Sequence, residues 1–195
     1  ARLMIEPKDV RKITQPGSHL IISMYPTKYD WAISLDGEKV ELRAIRPEDE
    51  NLWREMIESF SAATTEYRFF GPVKEITKSM LVRYCHIDYD REIAIVAIGG
   101  KGRKKQMLGV ARLTIETANA EEGEFAIVVR DSYQRRGLGG RMMNALIEAA
   151  RDQYVREIYG HVLAANSGMV HFAESLGFDM RPSDDPEIRK IVLRL

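Results

Sequence analysis

The first half of the chain changes from helical to strand-like spacing of its apolar residues. Apolar positions three and four residues apart predict helices over Glu48 to Phe60 and over Lys78 to His86. Beyond them, apolar residues form shorter runs bounded by polar residues and glycine, as in strands of a sheet. The predicted strands are Glu92 to Ile98, Met107 to Glu116 and Glu124 to Val129, with a basic turn at 99–105 between the first two.

The second half continues the pattern with a helix after each of two strands. The helix that begins at Leu138 has an apolar stripe with the helical period, which we expect to pack on the sheet. A strand over Arg156 to Leu163 follows, and then a helix that Asn166 opens and Leu176-Gly177-Phe178 ends. Ile188 to Leu195 is predicted as an edge or hairpin strand. No repeat or low-complexity tract interrupts this pattern.

The N-terminal segment differs from the rest of the chain. Prolines separate short apolar groups such as Leu20-Ile21-Ile22, which can pair as a strand but cannot form a core alone. A hairpin turned at Asp36-Gly37 leads out of this segment, and Pro47 marks the start of a helix. We therefore predict an N-terminal extension or linker over 1–38 and a folded domain over 39–195.

The composition allows one folded core and argues against nucleic acid and membranes as partners. At 195 residues, 45% of them apolar, the chain can bury one good core. Its 29 basic residues balance 29 acidic ones, so no excess charge attracts nucleic acid or an anionic membrane. No apolar run approaches the roughly 18 residues of a membrane span. A single cysteine excludes an internal disulfide framework and predicts a cytoplasmic location.

A glycine-bearing turn lies between the strand ending at Val129 and the helix from Leu138. Its sequence is Gln134-Arg135-Arg136-Gly137-Leu138-Gly139-Gly140. Without a Cβ at 137, 139 and 140, several backbone N–H groups can converge on one anion at the positive end of the helix. Arg135, Arg136 and Arg141 add donors suited to phosphate. A packing turn with solvated arginines would have the same residues, so the motif alone leaves both interpretations open.

The spacing Gln134-x-x-Gly137-x-Gly139 is neither a dinucleotide nor a nucleoside-triphosphate loop. It resembles the Q/R-x-x-G-x-G/A motif of the GNAT acetyltransferases, and residues 129–139 are similar to the coenzyme A pyrophosphate loop of that family. The resemblance implies an α/β GNAT fold over about residues 39 to 195, with a mixed, mostly antiparallel twisted sheet flanked by helices. It also implies acetyl-CoA as co-substrate and N-acetyl transfer as the reaction.

The same resemblance implies cofactor contacts outside the glycine turn. The backbone of Ile127, Val128 and Val129 is expected to pair with the pantetheine arm like an added strand, where an N–H could steady the thioester oxygen. Asn166 corresponds to a family asparagine that contacts coenzyme A, and it also suits a helix N-cap. The predicted cofactor residues are Ile127, Val128, Val129, Gln134, Arg135, Arg136, Gly137, Leu138, Gly139, Gly140, Arg141 and Asn166.

Transfer of an acetyl group to an amine requires removal of a proton. A lysine with a pKa near 10.4 is neutral at pH 7 only about once in two thousand molecules, a deficit of roughly 4.6 kcal/mol. A positioned carboxylate typically contributes about 10²–10⁴ in rate. Glu124 starts the strand that leads into the loop and resembles the strand glutamate that serves as general base in Pat-type acetyltransferases. Glu116, Glu121 and Glu122 are close enough in sequence to compete with it.

One position departs from the family pattern. Many GNAT enzymes have a tyrosine, the general acid for the leaving thiolate, five residues before the phenylalanine of the L-G-F ending; Ala173 stands there in this chain. Phe172 and Ser175 are poor replacements for that acid. A thiolate with a pKa near 8.5 leaves tolerably well without protonation. The departure therefore concerns the mechanism more than the reaction class.

The layout around residues 25–49 resembles bacterial two-part proteins, the Pat-type protein lysine acetyltransferases, in which an ADP-forming acyl-CoA synthetase-like region precedes a GNAT domain. Ala1-Arg2-Leu3 would then be the last strand of that upstream region. The resemblance implies a protein lysine as acceptor, with an acyl-CoA synthetase as one candidate partner. Two alternatives stay open: acetylation of a small amine or an α-amino terminus, and a non-catalytic acyl-CoA sensor.

Other reactive side chains give no catalytic pattern. Cys85 and its neighbour His86 point to different sides of the predicted helix, so a Cys-His nucleophile is not expected. The histidines lack the spacing of metal ligands, and no metal site is predicted. They are His19, His86, His161 and His171. Tyr67 to Pro72 is predicted as an aromatic loop that either packs or helps to position substrate.

Overall fold

The computed structural model describes residues 26–115 and 120–195. Within these residues, one eight-stranded sheet carries five α-helices and a few short 3-10 turns. The strands are β1 (Trp31–Leu35), β2 (Glu38–Ala44), β3 (Glu92–Gly99), β4 (Gln106–Ile115), β5 (Glu122–Val129), β6 (Glu157–Leu163), β7 (Asp179–Pro182) and β8 (Ile188–Arg194). The helices are α1 (Glu50–Glu58), α2 (Ala62–Phe69), α3 (Lys78–Cys85), α4 (Leu138–Asp152) and α5 (Ser167–Ser175).

The sheet has the strand order β1-β2-β3-β4-β5-β6-β8-β7. In the described part of the chain, all neighbouring strands are antiparallel except β5 and β6, which run parallel. The parallel pair requires a crossover, and α4 provides it. The predicted mixed, mostly antiparallel sheet flanked by helices is therefore confirmed.

Helices cover both faces of the sheet. The apolar stripe of α4, which includes Met142 and Leu146, packs on one face against residues such as Ile95. On the other face, Trp53 and Met56 of α1 pack with Leu81 of α3. The central strand β3 is buried on both faces, which explains its nearly continuous apolar sequence.

The hairpin predicted at Asp36-Gly37 joins β1 to β2. Both turn residues have positive φ, 49° and 83°, the combination that a two-residue hairpin turn with the right-handed strand twist requires. Trp31 to Leu35 pair with Glu38 to Leu42 in the same sheet as the other strands. Within the described residues, the first strand of the sheet starts at Trp31, before the boundary that the sequence predicts at residue 38.

Two elements differ from the sequence prediction. Ala62–Phe69 form α2, so the first part of the predicted Tyr67 to Pro72 loop is helical. The helix begins at an N-cap, Ser61, whose side chain accepts a hydrogen bond from the N–H of Thr64, but it has no long apolar stripe. The short strand β7 was not predicted. The predicted strand at 20–22, Ala1-Arg2-Leu3, His19 and Glu116 lie outside the described residues.

Candidate active site

The sheet opens between its two parallel strands. β5 pairs with β6 only from Glu122 to Glu124, opposite Glu157 to Tyr159. Beyond these residues β5 continues to Val129 beside β4, whereas β6 continues to Leu163 beside β8. The two strands therefore separate, and the cleft between them holds a volume of about 920 Å³. This volume is at the upper end of the usual range for small-molecule sites.

One wall of the cleft is the backbone of β5. The N–H of Arg130 donates to the carbonyl of Leu108 in the neighbouring β4, at 2.8 Å. Because backbone groups alternate along a strand, the N–H and C=O groups of Ile127 and Val129 are turned to the opposite side, toward the cleft. The carbonyl of Val129 accepts a hydrogen bond there from Gln134 Nε2, at 3.0 Å. This edge can pair with an extended ligand as another strand would.

The loop after β5 turns the chain into α4 through two left-handed residues. Arg135 has a φ of 57° and Gly137 a φ of 80°. A Cβ added to Gly137 would meet nothing within 4 Å, so backbone conformation, and not lack of space, favours glycine here. Gly137 is the N-cap of α4.

The start of α4 brings several backbone donors together. The N–H of Arg141 donates to the carbonyl of Gly137 at 3.3 Å, which leaves the N–H groups of residues 138–140 without an acceptor inside the helix. The positive end of the helix dipole attracts anions to the same place. Arg135 also lines this part of the cleft. The donor set fits the pyrophosphate of coenzyme A.

Most of the predicted site residues line this one cleft. They are Glu124, Ile127, Val128, Val129, Gln134, Arg135, Gly137, Gly139, Gly140 and Asn166. Arg136 instead pairs with Asp36 of the β1–β2 hairpin at 2.5 Å and lies over the ring of Tyr133. The Leu138 side chain is fully buried in the core, so only its backbone can reach a ligand, and Arg141 is exposed on α4.

Asn166 has the N-cap role that its sequence position suggested. Its side-chain Oδ1 accepts a hydrogen bond from the N–H of Met169, at 3.1 Å. The residue also lines the cleft on the side of β6, opposite the β5 edge. The cap fixes the side chain where it can meet a ligand, so both interpretations of Asn166 are compatible with the structure.

A hydrogen-bonded latch joins α2 to the loop after β5. Asp131 accepts hydrogen bonds from the N–H and hydroxyl of Ser61, at 3.1 and 2.9 Å, and from the Thr64 hydroxyl, at 2.7 Å. Thr64 Oγ1 also accepts from Gln134 Nε2, at 3.3 Å. Although partial burial opposes ionisation of Asp131, the hydrogen bonds from Thr64 and Ser61 lower its pKa. Sequence reasoning missed this latch.

Glu124 lies at the point where β5 and β6 separate. Its side chain is half exposed, and Oε1 lies 2.9 Å from Nδ1 of His161 on β6. The rings of His161 and Tyr159 are nearly perpendicular, with centroids 5.8 Å apart. No sequence pattern connects His161 with Glu124, because the contact depends on the parallel pairing of two strands separated by α4.

The competing glutamates are placed differently. Glu121 pairs with Arg156, at 3.3 Å, and neither Glu121 nor Glu122 lines the cleft. Glu116 is not among the described residues. Of the described candidates for the general base, Glu124 is therefore the one that lines the cleft.

A buried arginine supports the wall of the cleft on the β4 side. Arg112 is 6% exposed and pairs with Glu92 at 2.8 Å. It also donates a hydrogen bond to the carbonyl of Tyr84 and lies over the ring of that residue. Burial lowers the pKa of Arg112, and Glu92 opposes that effect. The sequence analysis did not identify this ion pair; a charged residue within the apolar run of β4 is the signal that could have indicated it.

The C-terminal end of α2 forms the rim of the cleft on the side of the sheet that α1 and α3 cover. Tyr67, Arg68, Phe69 and Phe70 all line it. Phe70 caps the helix in the left-handed conformation, with a φ of 57°, which is rare for a bulky residue. Tyr67 and Phe70 are 38% and 48% exposed. The second half of the cleft is therefore lined by large side chains, unlike the backbone-lined half.

The remaining reactive groups lie elsewhere. Cys85 is buried, and burial raises its pKa to about 12, so it is unsuited to act as a nucleophile. His86 pairs with Glu50 at 2.7 Å, and Nδ1 of His171 lies 2.7 Å from the carbonyl of Ser167. Over residues 26–115 and 120–195, no cluster of His, Cys, Asp and Glu could hold a metal ion. No helix in those ranges is long and apolar enough to cross a membrane.

The position of the missing family tyrosine lies in the core. Ala173 is 1% exposed and packs with the apolar cluster beneath α4. Phe172 reaches the cleft, and the hydroxyl of Ser175 donates to the Phe172 carbonyl at 2.7 Å. Neither side chain offers a proton to a leaving thiolate, which agrees with the departure noted in the sequence.

Comparison with known proteins identifies the family. The model of the acetyltransferase (GNAT) family matches residues 52–178. Acetyltransferase PA5475 of Pseudomonas aeruginosa is 36% identical over 159 residues, which are 80% of this chain and 84% of that protein. Acetyltransferase Pat of Mycolicibacterium smegmatis is 32% identical over 142 residues, 72% of this chain but 41% of that protein.

Solved structures agree with the sequence comparison. The crystal structure of the GNAT domain of S. lividans PAT has a TM-score of 0.80 with this chain at 23% sequence identity. The match covers 88% of this chain and 99% of that domain, and it shows a common fold. With the matching family model and the more than 30% identity to PA5475, the conclusion is plain: this chain belongs to the GNAT family of acetyltransferases.

Proposed function

We propose that this acetyltransferase transfers the acetyl group of acetyl-CoA to a lysine side chain of a protein, with Glu124 as general base. One observation carries the proposal. The Glu124 carboxylate lies where β5 and β6 separate, beside the strand edge that would hold the thioester and within reach of an entering amine. A base in that position can take the proton that an attacking lysine must lose.

The chain's own residues provide binding, orientation and proton transfer. The N–H groups of residues 138–140 and Arg135 would hold the pyrophosphate, while the β5 edge at Ile127 and Val129 would align the pantetheine arm. Acetyl-CoA supplies an already activated thioester, so no acyl-enzyme is required. The side chain of Gln134, fixed between Thr64 and the Val129 carbonyl, holds the loop to the end of β5.

Glu124 and His161 form the proton-accepting part of the site. The 2.9 Å contact between Oε1 and Nδ1 orients the carboxylate, and both side chains reach solvent, which gives the proton a way out. The amine nitrogen attacks the carbonyl carbon of the thioester and forms the amide bond, its proton passes to Glu124, and the C–S bond breaks so that the sulfur leaves as a thiolate. With Ala173 in place of the family tyrosine, the proposed mechanism has no general acid at that position.

Two observations support a protein as the acceptor. The rim of the cleft exposes Tyr67 and Phe70, and aromatic residues are enriched in the cores of protein interfaces. The chain also resembles Pat at 32% identity while spanning 41% of its length. We extend the proposal in three ways. An acyl-CoA synthetase is a candidate acceptor protein, and we propose that a synthetase-like region precedes this domain in the full-length protein. We also propose that the protein works in the cytoplasm.

The test compares Glu124→Gln with Glu121→Gln, a neighbouring variant outside the cleft. We expect kcat of Glu124→Gln toward a lysine peptide to fall by about 10²–10⁴, because the amide cannot accept the proton. Binding of acetyl-CoA should survive, so the ligand at about 100 times its Kd should still add roughly 2.7 kcal/mol of stability. Glu121→Gln should keep the wild-type rate.

Three outcomes would count against the proposal in different ways. A Glu124→Gln enzyme as fast as wild type would show that another group is the base. Turnover of small amines or α-amino termini in preference to lysine peptides would refute the acceptor class. Stabilisation by acetyl-CoA without turnover of any amine would favour the acyl-CoA sensor.

A further inference from the structure

We propose that Arg68 binds a carboxylate of the acceptor, so that the preferred acceptor lysine has an acidic group close to its amine. The inference rests on the proposed function, since it concerns the acceptor half of the same cleft. Arg68 is on the last turn of α2, is partly buried and lines the cleft together with Glu124. It would act by recognition, and the proton transfer would remain with Glu124.

Arg68 differs from the two buried arginines of the described chain in lacking a carboxylate partner. Arg43 forms a two-pronged pair with Asp49, with both distances 2.7 Å, and Arg112 pairs with Glu92. For Arg68, the structure shows no ion pair or hydrogen bond with any residue in 26–115 or 120–195; its guanidinium lies over the Phe69 ring, 5.2 Å from the centroid.

Leaving a cation partly buried without a partner costs free energy. Burial lowers the pKa of Arg68, and the positive charge of Arg112 acts in the same direction. Tyr84 and, to a smaller extent, the carboxylate of Glu124 act in the opposite direction, but the pKa stays lowered. An incoming anion would supply the missing charge, and the planar guanidinium matches a carboxylate through two parallel hydrogen bonds.

The surroundings favour a singly charged group. Glu124 is close enough to influence the charge on Arg68, so an anion bound there also meets the repulsion of Glu124. A carboxylate meets about half of the repulsion that a doubly charged phosphate would meet. The acceptor would then be held at two groups, its amine at Glu124 and its carboxylate at Arg68.

The aromatic residues beside Arg68 favour a macromolecular acceptor. Tyr67 and Phe70 precede and follow it closely in sequence and are partly exposed at the rim. Phe70 ends α2 in the left-handed conformation, so its ring does not continue along the helix surface. Exposed aromatic rings next to an arginine are typical of binding hot spots. We therefore expect the carboxylate to come from an acidic residue near the lysine in the acceptor's sequence or on its surface.

The experiment compares matched acceptors with matched variants. Two capped peptides differ only in having Asp or Asn beside the acceptor lysine, and they test a side-chain carboxylate. Nα-acetyl-lysine and its amide differ only in the α-carboxylate, and they test that group as the other possible ligand of Arg68. Initial rates give kcat/KM for the wild type, Arg68→Met, Arg68→Lys and Arg151→Met. Arg68→Met keeps most of the apolar stem, and Arg151→Met removes an exposed arginine of α4 that pairs with Glu148.

We expect the wild type to prefer the Asp peptide by at least about tenfold. Arg68→Met should abolish that preference, so that its rates on the Asp and Asn peptides lie within about threefold of each other. Arg68→Lys should keep part of the preference, because the ammonium keeps the charge but loses the planar fork. Arg151→Met should behave as wild type. If the wild type prefers only Nα-acetyl-lysine over its amide, and not the Asp peptide over the Asn peptide, Arg68 recognises the α-carboxylate, and the expectation of an acidic neighbouring residue is wrong.

Several results would overturn the inference. Equal wild-type rates on acidic and neutral acceptors would refute it while leaving the acetyltransferase proposal intact. A preference that persists in Arg68→Met, with a melting temperature close to wild type, would assign the recognition to another residue. Absence of turnover with every acceptor, neutral ones included, would refute the proposed function and this inference together.

Discussion

The two halves of the cleft are built by different means. The half assigned to acetyl-CoA consists of backbone groups from one continuous stretch, the end of β5, the loop and the first turn of α4. The half assigned to the acceptor consists of side chains from α2, α3, β4 and β6, such as Arg68, Tyr84, Arg112 and His161. The first half can keep its function while most side chains change, whereas single substitutions can alter the second.

The latch at Asp131 connects these halves. It ties the N-terminus of α2 to the loop, while the other end of the same helix carries Arg68. The acceptor rim is thus positioned by a residue of the cofactor loop. The variants below test how far the two halves are independent, in order of the expected change in stability.

The largest effect is expected from Glu92→Gln in the acceptor half. The substitution leaves the Arg112 charge buried without its carboxylate, which should lower stability by about 3–5 kcal/mol and the melting temperature by roughly 10 °C. Because Arg112 supports the acceptor wall, KM for the acceptor should rise while Kd for acetyl-CoA stays close to wild type.

Glu148→Gln is the matched control for this variant. It breaks an exposed pair with Arg151 and should cost less than about 1 kcal/mol. If Glu92→Gln weakened acetyl-CoA binding as much as acceptor binding, the division of the cleft into two halves would be wrong.

A smaller effect is expected in the backbone-built half from Gly137→Val. At a φ of 80°, a β-branched residue is strained by about 1–2 kcal/mol or more, so the loop should shift and Kd for acetyl-CoA should rise about tenfold. Gly137→Asn is the control, since asparagine tolerates this conformation and no neighbouring atom is within 4 Å of an added Cβ. Calorimetric titration with acetyl-CoA measures both. Equal binding by the Val and Asn variants would mean that the positive φ is unimportant.

The smallest effect is expected from Asp131→Asn at the latch. The pKa of Asp131 is lowered in the folded protein, so its carboxylate stabilises the fold above the unfolded pKa of about 4, and this contribution is lost as the pH falls through the folded value. At neutral pH the variant should lose about 1 kcal/mol, since solvent screens this partly exposed group.

The pH dependence distinguishes a charged latch from simple packing. The difference in melting temperature between wild type and Asp131→Asn should be largest near neutral pH and should shrink below about pH 4. A difference that is constant with pH would show that ionisation of Asp131 does not matter. A fall in acceptor affinity alongside the loss of stability would show that the latch positions the rim.

The sequence predicted what depends on neighbouring residues and missed what depends on distant ones. The loop 134–140 and the strand position of Glu124 could be recognised because their residues are consecutive. The contact of Glu124 with His161 was not predicted, because it requires β6 to return parallel to β5 after α4. Helix α2 was missed because it has little apolar periodicity, and the residue that accepts the hydrogen bonds from its start is Asp131, 70 residues from Ser61.

The separation of β5 and β6 also affects how the molecule avoids self-association. Unpaired strand edges are sites where other chains add and aggregates begin, and proteins usually cover or interrupt them. Here two such edges face each other within the sheet, flanked by β4 and β8, so a neighbouring molecule cannot approach them sideways with a strand of its own. Only a narrow, flexible chain can enter along the gap. In the proposed complex the pantetheine arm is that chain, and its binding would complete the hydrogen bonding of the inner β5 edge.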